Sequence, residues 1–69
     1  MEGSVKNFAK DIISHLNADY SVKLNSVLES VTITLRKGVL FVNNKESDED
    51  LNSLITRLYN SGFDEFVSF

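Results

Sequence analysis

The histidine of this sequence is the first place to look for chemistry, because it is the only one in 69 residues. On a helix, His15 would have Asp11 four residues before it and Asp19 four residues after it. Side chains four residues apart share a helix face, which is a spacing found in metal sites on helices. Such a site would be rich in carboxylates and open to solvent, so we favour a surface ion pair over a metal centre.

Covalent catalysis needs a nucleophile, a base and a group that orients the base. The chain has no cysteine, and its serines fall where caps, turns and strand faces are expected. The G-x-S-x-G turn of many serine hydrolases is missing. Gly3, Gly38 and Gly62 are isolated from one another, so glycine-rich phosphate loops are missing as well. The sequence therefore predicts a protein that is not an enzyme and needs no cofactor.

Acidic residues are concentrated in the last third of the chain. Residues 46–69 hold six Asp or Glu and one Arg, a net charge of −5, whereas residues 1–45 have a net charge of +2. Asp48, Glu49 and Asp50 lack the alternating ligands, central glycine and closing Glu of a calcium-binding loop. A local excess of carboxylates repels nucleic acid and attracts basic surfaces. We therefore expect a basic protein partner and no direct binding of nucleic acid.

Two segments have the apolar periodicity of amphipathic helices. Their apolar positions are Val5, Phe8, Ala9, Ile12, Ile13 and Leu16 in the first, and Leu51, Leu54, Ile55, Leu58 and Tyr59 in the second. The first helix is predicted over 5–16, with Ser4 as its N-cap. Ser47 is the predicted N-cap of the second, with residues 48–50 in its first turn and Gly62 at its C-terminal end.

Between the helices, alternation of apolar and polar residues predicts three strands. They cover 20–24, 31–36 and 39–43, and residues 37–38 make the turn of a hairpin between the last two. Residues 25–30 are expected to be a loop. An alternative helix is indicated by the helical spacing of Leu24, Val27, Leu28 and Val31.

The predicted order is helix, three strands, helix (αβββα), an α+β fold in one domain over 1–69, with both helices on one face of an antiparallel sheet. Residues 44–47 are expected to be a polar connection. Residues 64–69 are either a short C-terminal strand or an acidic, aromatic docking segment. The apolar runs are far shorter than the ~20 residues of a membrane span. No signal peptide is recognisable, and the lack of cysteine favours a reducing cytoplasm.

Two further functions fit this order of elements. Domains that bind double-stranded RNA have a similar order and length, but the basic residues they carry near the second helix are replaced here by Asp48, Glu49 and Asp50. A strand over 66–69 could instead pair edge to edge with a second copy, which would make the chain a dimerisation module. We accordingly expect a monomer or a weak homodimer.

Several features of residues 8–63 together resemble a known family. They are the first helix, the segment Asp19-Tyr20-Ser21-Val22-Lys23-Leu24, the hairpin around Gly38 with Phe41-Val42, the acidic start of the second helix, and Asn60-Ser61-Gly62-Phe63. In order and spacing they resemble the small acidic anti-CRISPR proteins of phages and prophages that inhibit the type II RNA-guided CRISPR nuclease.

The resemblance implies a stoichiometric inhibitor that mimics DNA and occupies the basic site where the nuclease reads its short duplex motif. Asp19 and Tyr20 are the partner-binding residues that the resemblance implies by matching position, and Asp48, Glu49 and Asp50 match in acidic character. With the acidic residues of the C-terminal segment added, the predicted contact residues are Asp19, Tyr20, Asp48, Glu49, Asp50, Asp64 and Glu65. The hairpin departs from the family pattern, because Arg36 and Lys37 stand where the family is acidic. Another surface of the nuclease, or another host defence or replication protein, is therefore the alternative target.

Overall fold

Two helices and a five-stranded antiparallel sheet make up the fold in the computed structural model, which describes residues 2–69. The elements in chain order are α1 (Glu2–Asn17), β1 (Val22–Asn25), β2 (Ser30–Arg36), β3 (Val39–Val42), β4 (Lys45–Ser47), α2 (Leu51–Asn60) and β5 (Glu65–Ser68). The strands lie side by side in the order β4-β3-β2-β1-β5. The predicted α+β class is confirmed, but the sheet has five strands where three and a possible fourth were expected.

The strand that the sequence did not predict is β4, which lies in the segment 44–47. It is short and polar throughout, so it carries no apolar alternation. Asn43 and Asn44, with φ of 53° and 69°, form the two-residue turn that folds it back onto β3. Positive φ at both turn residues is the type I′ geometry that matches hairpin twist, and asparagine tolerates it. Lys37 and Gly38, with φ of 52° and 79°, form the same turn between β2 and β3, as predicted.

The C-terminal segment forms strand β5, which is the first of its two expected conformations. β5 pairs with β1, from Glu65 opposite Asn25 to Ser68 opposite Val22. Since β4 and β5 are the two edges of the sheet, α2 carries the chain from one edge to the other. The alternative helix through Leu24 is wrong, because the chain there is strand β1.

The hydrophobic core lies between the two helices and one face of the sheet. Its buried members are Ala9, Ile12, Leu16, Val22, Leu24, Ile33, Leu40, Leu54, Ile55, Leu58 and Phe63. Val22 and Leu24 are fully buried, whereas Lys23 between them is exposed on the other face. The face of the sheet that carries Lys23 is therefore left without a helix.

Both predicted N-caps are wrong. Ser4 lies inside α1, and Ser47 is the last residue of β4. The N-cap of α2 is Asp50, whose carboxylate accepts a hydrogen bond of 3.1 Å from the backbone N–H of Ser53. Hydrogen bonding of β4 to β3 holds Ser47 in the extended conformation, so the helix starts three residues later than predicted.

Asp48 and Glu49 consequently precede α2 and do not occupy its first turn. The Ser47 hydroxyl accepts a hydrogen bond of 3.2 Å from the backbone N–H of Glu49, which fixes the bend between β4 and the helix. Of the three acidic residues, only Asp50 therefore interacts directly with the free N–H groups at the helix start.

The end of α2 follows the prediction. Gly62 has a φ of 103°, and the backbone N–H of Phe63 donates a 2.9 Å hydrogen bond to the carbonyl of Leu58. This is the Schellman pattern, in which a left-handed residue turns the chain back over the last helical turn. The turn brings Phe63 into the core, where it is buried.

Replacing Gly62 by alanine should lower the free energy of unfolding by about 1–2 kcal/mol, because a Cβ is strained at this positive φ. Gly3→Ala is the matched control, since Gly3 lies in α1 and an added Cβ there meets nothing within 4 Å. Urea unfolding followed by circular dichroism measures both variants. Equal midpoints for the two would contradict the proposed role of Gly62.

Candidate interaction surfaces

Strand directions define two ends of the sheet, at which the exposed candidate residues lie. β1 begins where β2 and β4 end, because neighbouring strands are antiparallel. The residues at this end, called the Tyr20 end below, are Asp19, Tyr20, Arg36, Lys37, Asp48, Glu49 and Asp50. The residues at the opposite end, called the Val27 end, are Val27, Leu28 and Glu29 in the β1–β2 loop and Asp64 and Glu65 at the start of β5.

The seven predicted contact residues are divided between these ends. Five lie at the Tyr20 end, and Asp64 and Glu65 lie at the Val27 end. Ser21 is hydrogen-bonded to Phe69 and Asn25 pairs with Glu65, so the two ends are separated by about 13 Å along β1. The seven residues therefore form two surfaces and not one continuous acidic patch.

At the Tyr20 end the acidic residues form two groups. Asp19 lies three residues before the start of β1, whereas Asp48 directly follows β4. β1 and β4 are three strand spacings apart, which is about 14 Å. Lys37 lies in the β2–β3 turn between them, so a positive charge separates the two groups.

Asp19 occupies a position that its local structure disfavours. Its φ is 70°, in the left-handed region where glycine or asparagine usually ends a helix. The N–H groups of Asp19 and Tyr20 each donate a 3.1 Å hydrogen bond, to the carbonyls of Leu16 and His15. The Asp19 carboxylate also lies at the negative end of the α1 dipole. Among residues 2–69, no hydrogen bond or ion pair of this carboxylate offsets these costs.

Tyr20 lies beside His15 and is 51% exposed. The ring centres of the two residues are 6.0 Å apart, and His15 meets Phe66 edge-on at 5.6 Å. Phe8 continues this row of rings, at 5.6 Å from Phe66 and 5.0 Å from Tyr59. His15 thus helps to seal α1 against β5. In the part of the chain described, no three His, Cys, Asp or Glu side chains are grouped to hold a metal ion.

Glu49 differs from the other predicted contact residues because its charge is already paired. The Arg57 side chain donates two hydrogen bonds, from Nη2 to Oε1 at 3.0 Å and from Nε to Oε2 at 3.1 Å. These hydrogen bonds, and then the negative charge of Glu49, raise the pKa of Arg57 above its usual value. The pair is exposed to solvent and contributes little to stability. Glu49 consequently offers less free negative charge than Asp48 beside it.

The helix-free face of the sheet is mixed in character. The Arg36 guanidinium lies 5.5 Å from the centre of the Phe41 ring, in a cation–π contact on this face. Val67 and Phe69 at the β5 edge are more than half exposed, and Lys23 lies next to them. Positive, aromatic and aliphatic groups therefore share this face with Glu46, which lies opposite Phe41.

Val27 and Leu28 are the exposed residues that sequence reasoning did not single out. They are 98% and 92% exposed, although their spacing from Leu24 and Val31 suggested a helix. A better signal was available, because two apolar residues between alternating strands have no strand partner against which to pack. Such residues either fold back onto the core or project into solvent, and these project.

The comparisons with known proteins do not assign the chain to any group. No protein-family model matches it, and neither a curated protein nor a solved structure is significantly similar to it. Within residues 2–69, no helix is both long enough and apolar enough to cross a membrane.

Asp50→Ala should lower the free energy of unfolding by about 1 kcal/mol, because the N–H of Ser53 loses its capping partner. Asp50→Asn should retain most of the stability, since an asparagine side-chain oxygen can accept the same hydrogen bond. Urea titrations of both variants test the assignment. If the asparagine variant lost as much stability as the alanine variant, the contribution would come from charge and not from the cap.

Proposed function

We propose that this protein is a non-catalytic inhibitor encoded by a phage or prophage, which binds a basic site on a CRISPR effector nuclease. The observation that carries the proposal is the set of exposed carboxylates without a cationic partner. Among the residues described, the single ion pair joins Glu49 and Arg57. Asp19, Asp48 and Asp50 at the Tyr20 end therefore remain available to a basic partner.

The unfavourable backbone conformation and charge position of Asp19 support the proposal that the Tyr20 end binds a basic partner. Aspartate tolerates a left-handed conformation less well than glycine, and a carboxylate at a helix C-terminus is disfavoured. Residues that strain their own structure are concentrated at functional sites, because selection keeps them for another reason. Contact of Asp19 with a positively charged partner, beside the half-exposed ring of Tyr20, would supply that reason.

Carboxylates suit the binding site that the proposal assigns to them. Nucleases that read DNA hold guanine edges with arginine and phosphates with lysine. A carboxylate can accept two hydrogen bonds from an arginine fork, and such charge-assisted bonds are the stronger kind. Inhibition would then arise from occlusion of the DNA site. The choice of a type II nuclease comes from the family resemblance.

Lys37 opposes this mechanism, since it places a positive charge between Asp19 and Asp48. Lys37→Asn removes that charge and creates an Asn-Gly sequence, which favours the type I′ turn already present. The proposal therefore predicts stronger inhibition by Lys37→Asn without loss of the fold. This gain of function is hard to obtain from a variant that merely disturbs the structure.

The main test is binding of labelled target DNA by a guide-loaded type II nuclease, with and without an excess of the protein. The wild type should suppress DNA binding. The triple variant Asp19→Asn, Asp48→Asn and Asp50→Asn should inhibit about tenfold or more weakly, because it loses three charges while asparagine suits both the left-handed position and the cap. Added salt should weaken the wild type more than the variant.

Asp11→Asn is the matched control, since Asp11 is exposed on α1 about 12 Å from Asp19 along the helix. It should inhibit like the wild type. Preserved DNA binding with loss of cleavage would contradict occlusion and move the contact to the catalytic machinery. No effect on either step would reject the nuclease as the target.

A second candidate function is self-association through the β5 edge. β5 is an edge strand, and its Val67 and the following Phe69 are 56% and 62% exposed. Edge strands can pair with a second copy. The order of elements no longer favours binding of double-stranded RNA, because four strands separate the helices and a fifth follows α2.

Self-association predicts a dimer in sedimentation equilibrium at high protein concentration. Val67→Lys should dissociate it, since an edge lysine opposes strand pairing. Glu46→Lys on β4, the other edge strand, is the control. A monomer at every concentration measured would reject this function.

A further inference from the structure

The β1–β2 loop presents two large apolar side chains to solvent. Val27 is 98% exposed and Leu28 is 92% exposed. Single exposed apolar residues are common on protein surfaces. Here two stand next to each other at the tip of one loop, and they contribute nothing to the core.

The loop is held in place by hydrogen bonds around Ser26. The backbone N–H of Ser26 donates to the carbonyl of Glu29 at 2.8 Å. The Ser26 hydroxyl accepts from the N–H of Leu28 at 3.3 Å and from that of Glu29 at 3.1 Å. Val27 and Leu28 are therefore presented by a closed turn, so binding through them needs little further ordering of the loop.

The turn itself does not require apolar residues. Neither Val27 nor Leu28 has a positive φ, and the side-chain hydrogen bonds of the turn come from Ser26, so polar residues at 27 and 28 would serve it equally well. Exposed aliphatic area is unfavourable in water, so the fold gains nothing from these two side chains. Burial against another molecule would explain their presence.

The surroundings of the tip are acidic. Glu29 lies in the loop, and Asp64 and Glu65 lie beside it because Glu65 pairs with Asn25. None of the three forms an ion pair with another described residue. The two segments nearest the tip, 24–35 and 58–69, contain no Lys or Arg. Lys45, at the start of β4, lies three strands away from β1.

We propose that Val27 and Leu28 insert into an apolar pocket of a partner protein whose rim carries Lys or Arg. A shallow depression lined by residues 26–29 and 61–63 lies beside the tip and would receive a side chain from the partner. The acidic rim then pairs with the basic rim while the two apolar side chains leave water. The inference rests on the proposed role as a binding protein, but it uses the end opposite Tyr20.

The acidic charge around the tip disfavours two other binding partners, a lipid bilayer and a second copy of the chain. A bilayer with anionic lipids would repel Glu29, Asp64 and Glu65. A second copy of the chain joined tip to tip would bring the same three carboxylates against each other. A protein with a basic rim is the occupant that this combination of apolar tip and acidic surround favours.

A helical peptide of leucine and lysine, with leucines on one face and lysines along its borders, serves as the probe. The full-length ¹⁵N-labelled protein is titrated with it and followed by NMR. Chemical shift changes should be centred on residues 27–29 and 64–65. A peptide with glutamate in place of lysine has the same apolar face and the wrong charge, and it should bind about tenfold or more weakly.

The variant Val27→Ser/Leu28→Ser should bind the leucine–lysine peptide about tenfold or more weakly, while its urea midpoint stays unchanged because both side chains are exposed in the native state. Thr56→Ser, which alters an exposed side chain on α2, should bind like the wild type. Shift changes centred elsewhere, or equal binding of the two peptides, would overturn the proposal. So would binding of lipid vesicles through the tip, or concentration-dependent shifts of residues 27–28 without peptide.

This experiment does not involve the nuclease, so its result is separable from that of the proposed function. A failed nuclease assay with shifts centred on the tip would reject the nuclease as target and retain the Val27 end as a docking surface. Inhibition of the nuclease with no peptide binding at the tip would reject the docking surface alone.

Discussion

Burial of one apolar layer is the constraint on which the rest of this structure depends. A chain of 69 residues can remove only part of its surface from water, and here the buried side chains lie between the two helices and one face of the sheet. Val22, Leu24 and Ile33 of the central strands are fully buried there, against Ile12 and Ile55 of the helices. Since both helices are needed on this face, the opposite face has no cover and the sheet ends are open to solvent.

The residues proposed to bind partners lie outside this buried layer. Asp19 lies in the turn after α1 and Val27 lies in a loop, so neither contributes to the core. Replacing either changes the surface without opening a cavity, unlike replacement of a residue such as Ile33. The two proposed binding surfaces differ in character, since one is mainly acidic and the other is apolar with an acidic surround.

Periodicity was sufficient to predict the elements that bury an apolar face. Both helices and the strands β1, β2 and β3 alternate or repeat as their burial requires, and all five are present. β4 could not be found in this way, because its three residues are polar and its position comes from the Asn43-Asn44 turn and pairing with β3. The same pairing removed Ser47 from the helix cap. Local capping rules are overruled when a strand holds the candidate residue in an extended conformation.

The amino-acid sequence by itself determined which residues are apolar, where the chain is acidic, and that the left-handed turn after α2 falls on Gly62. Tertiary structure decided which acidic residues are neighbours. Asp64 and Glu65 were separated from Asp19 because β5 pairs antiparallel with β1 and begins at its far end. The Glu49 carboxylate, just before α2, is paired with the guanidinium of Arg57 on that helix. Neither result can be read from composition or spacing, because strand pairing and side-chain contacts join residues far apart in the chain.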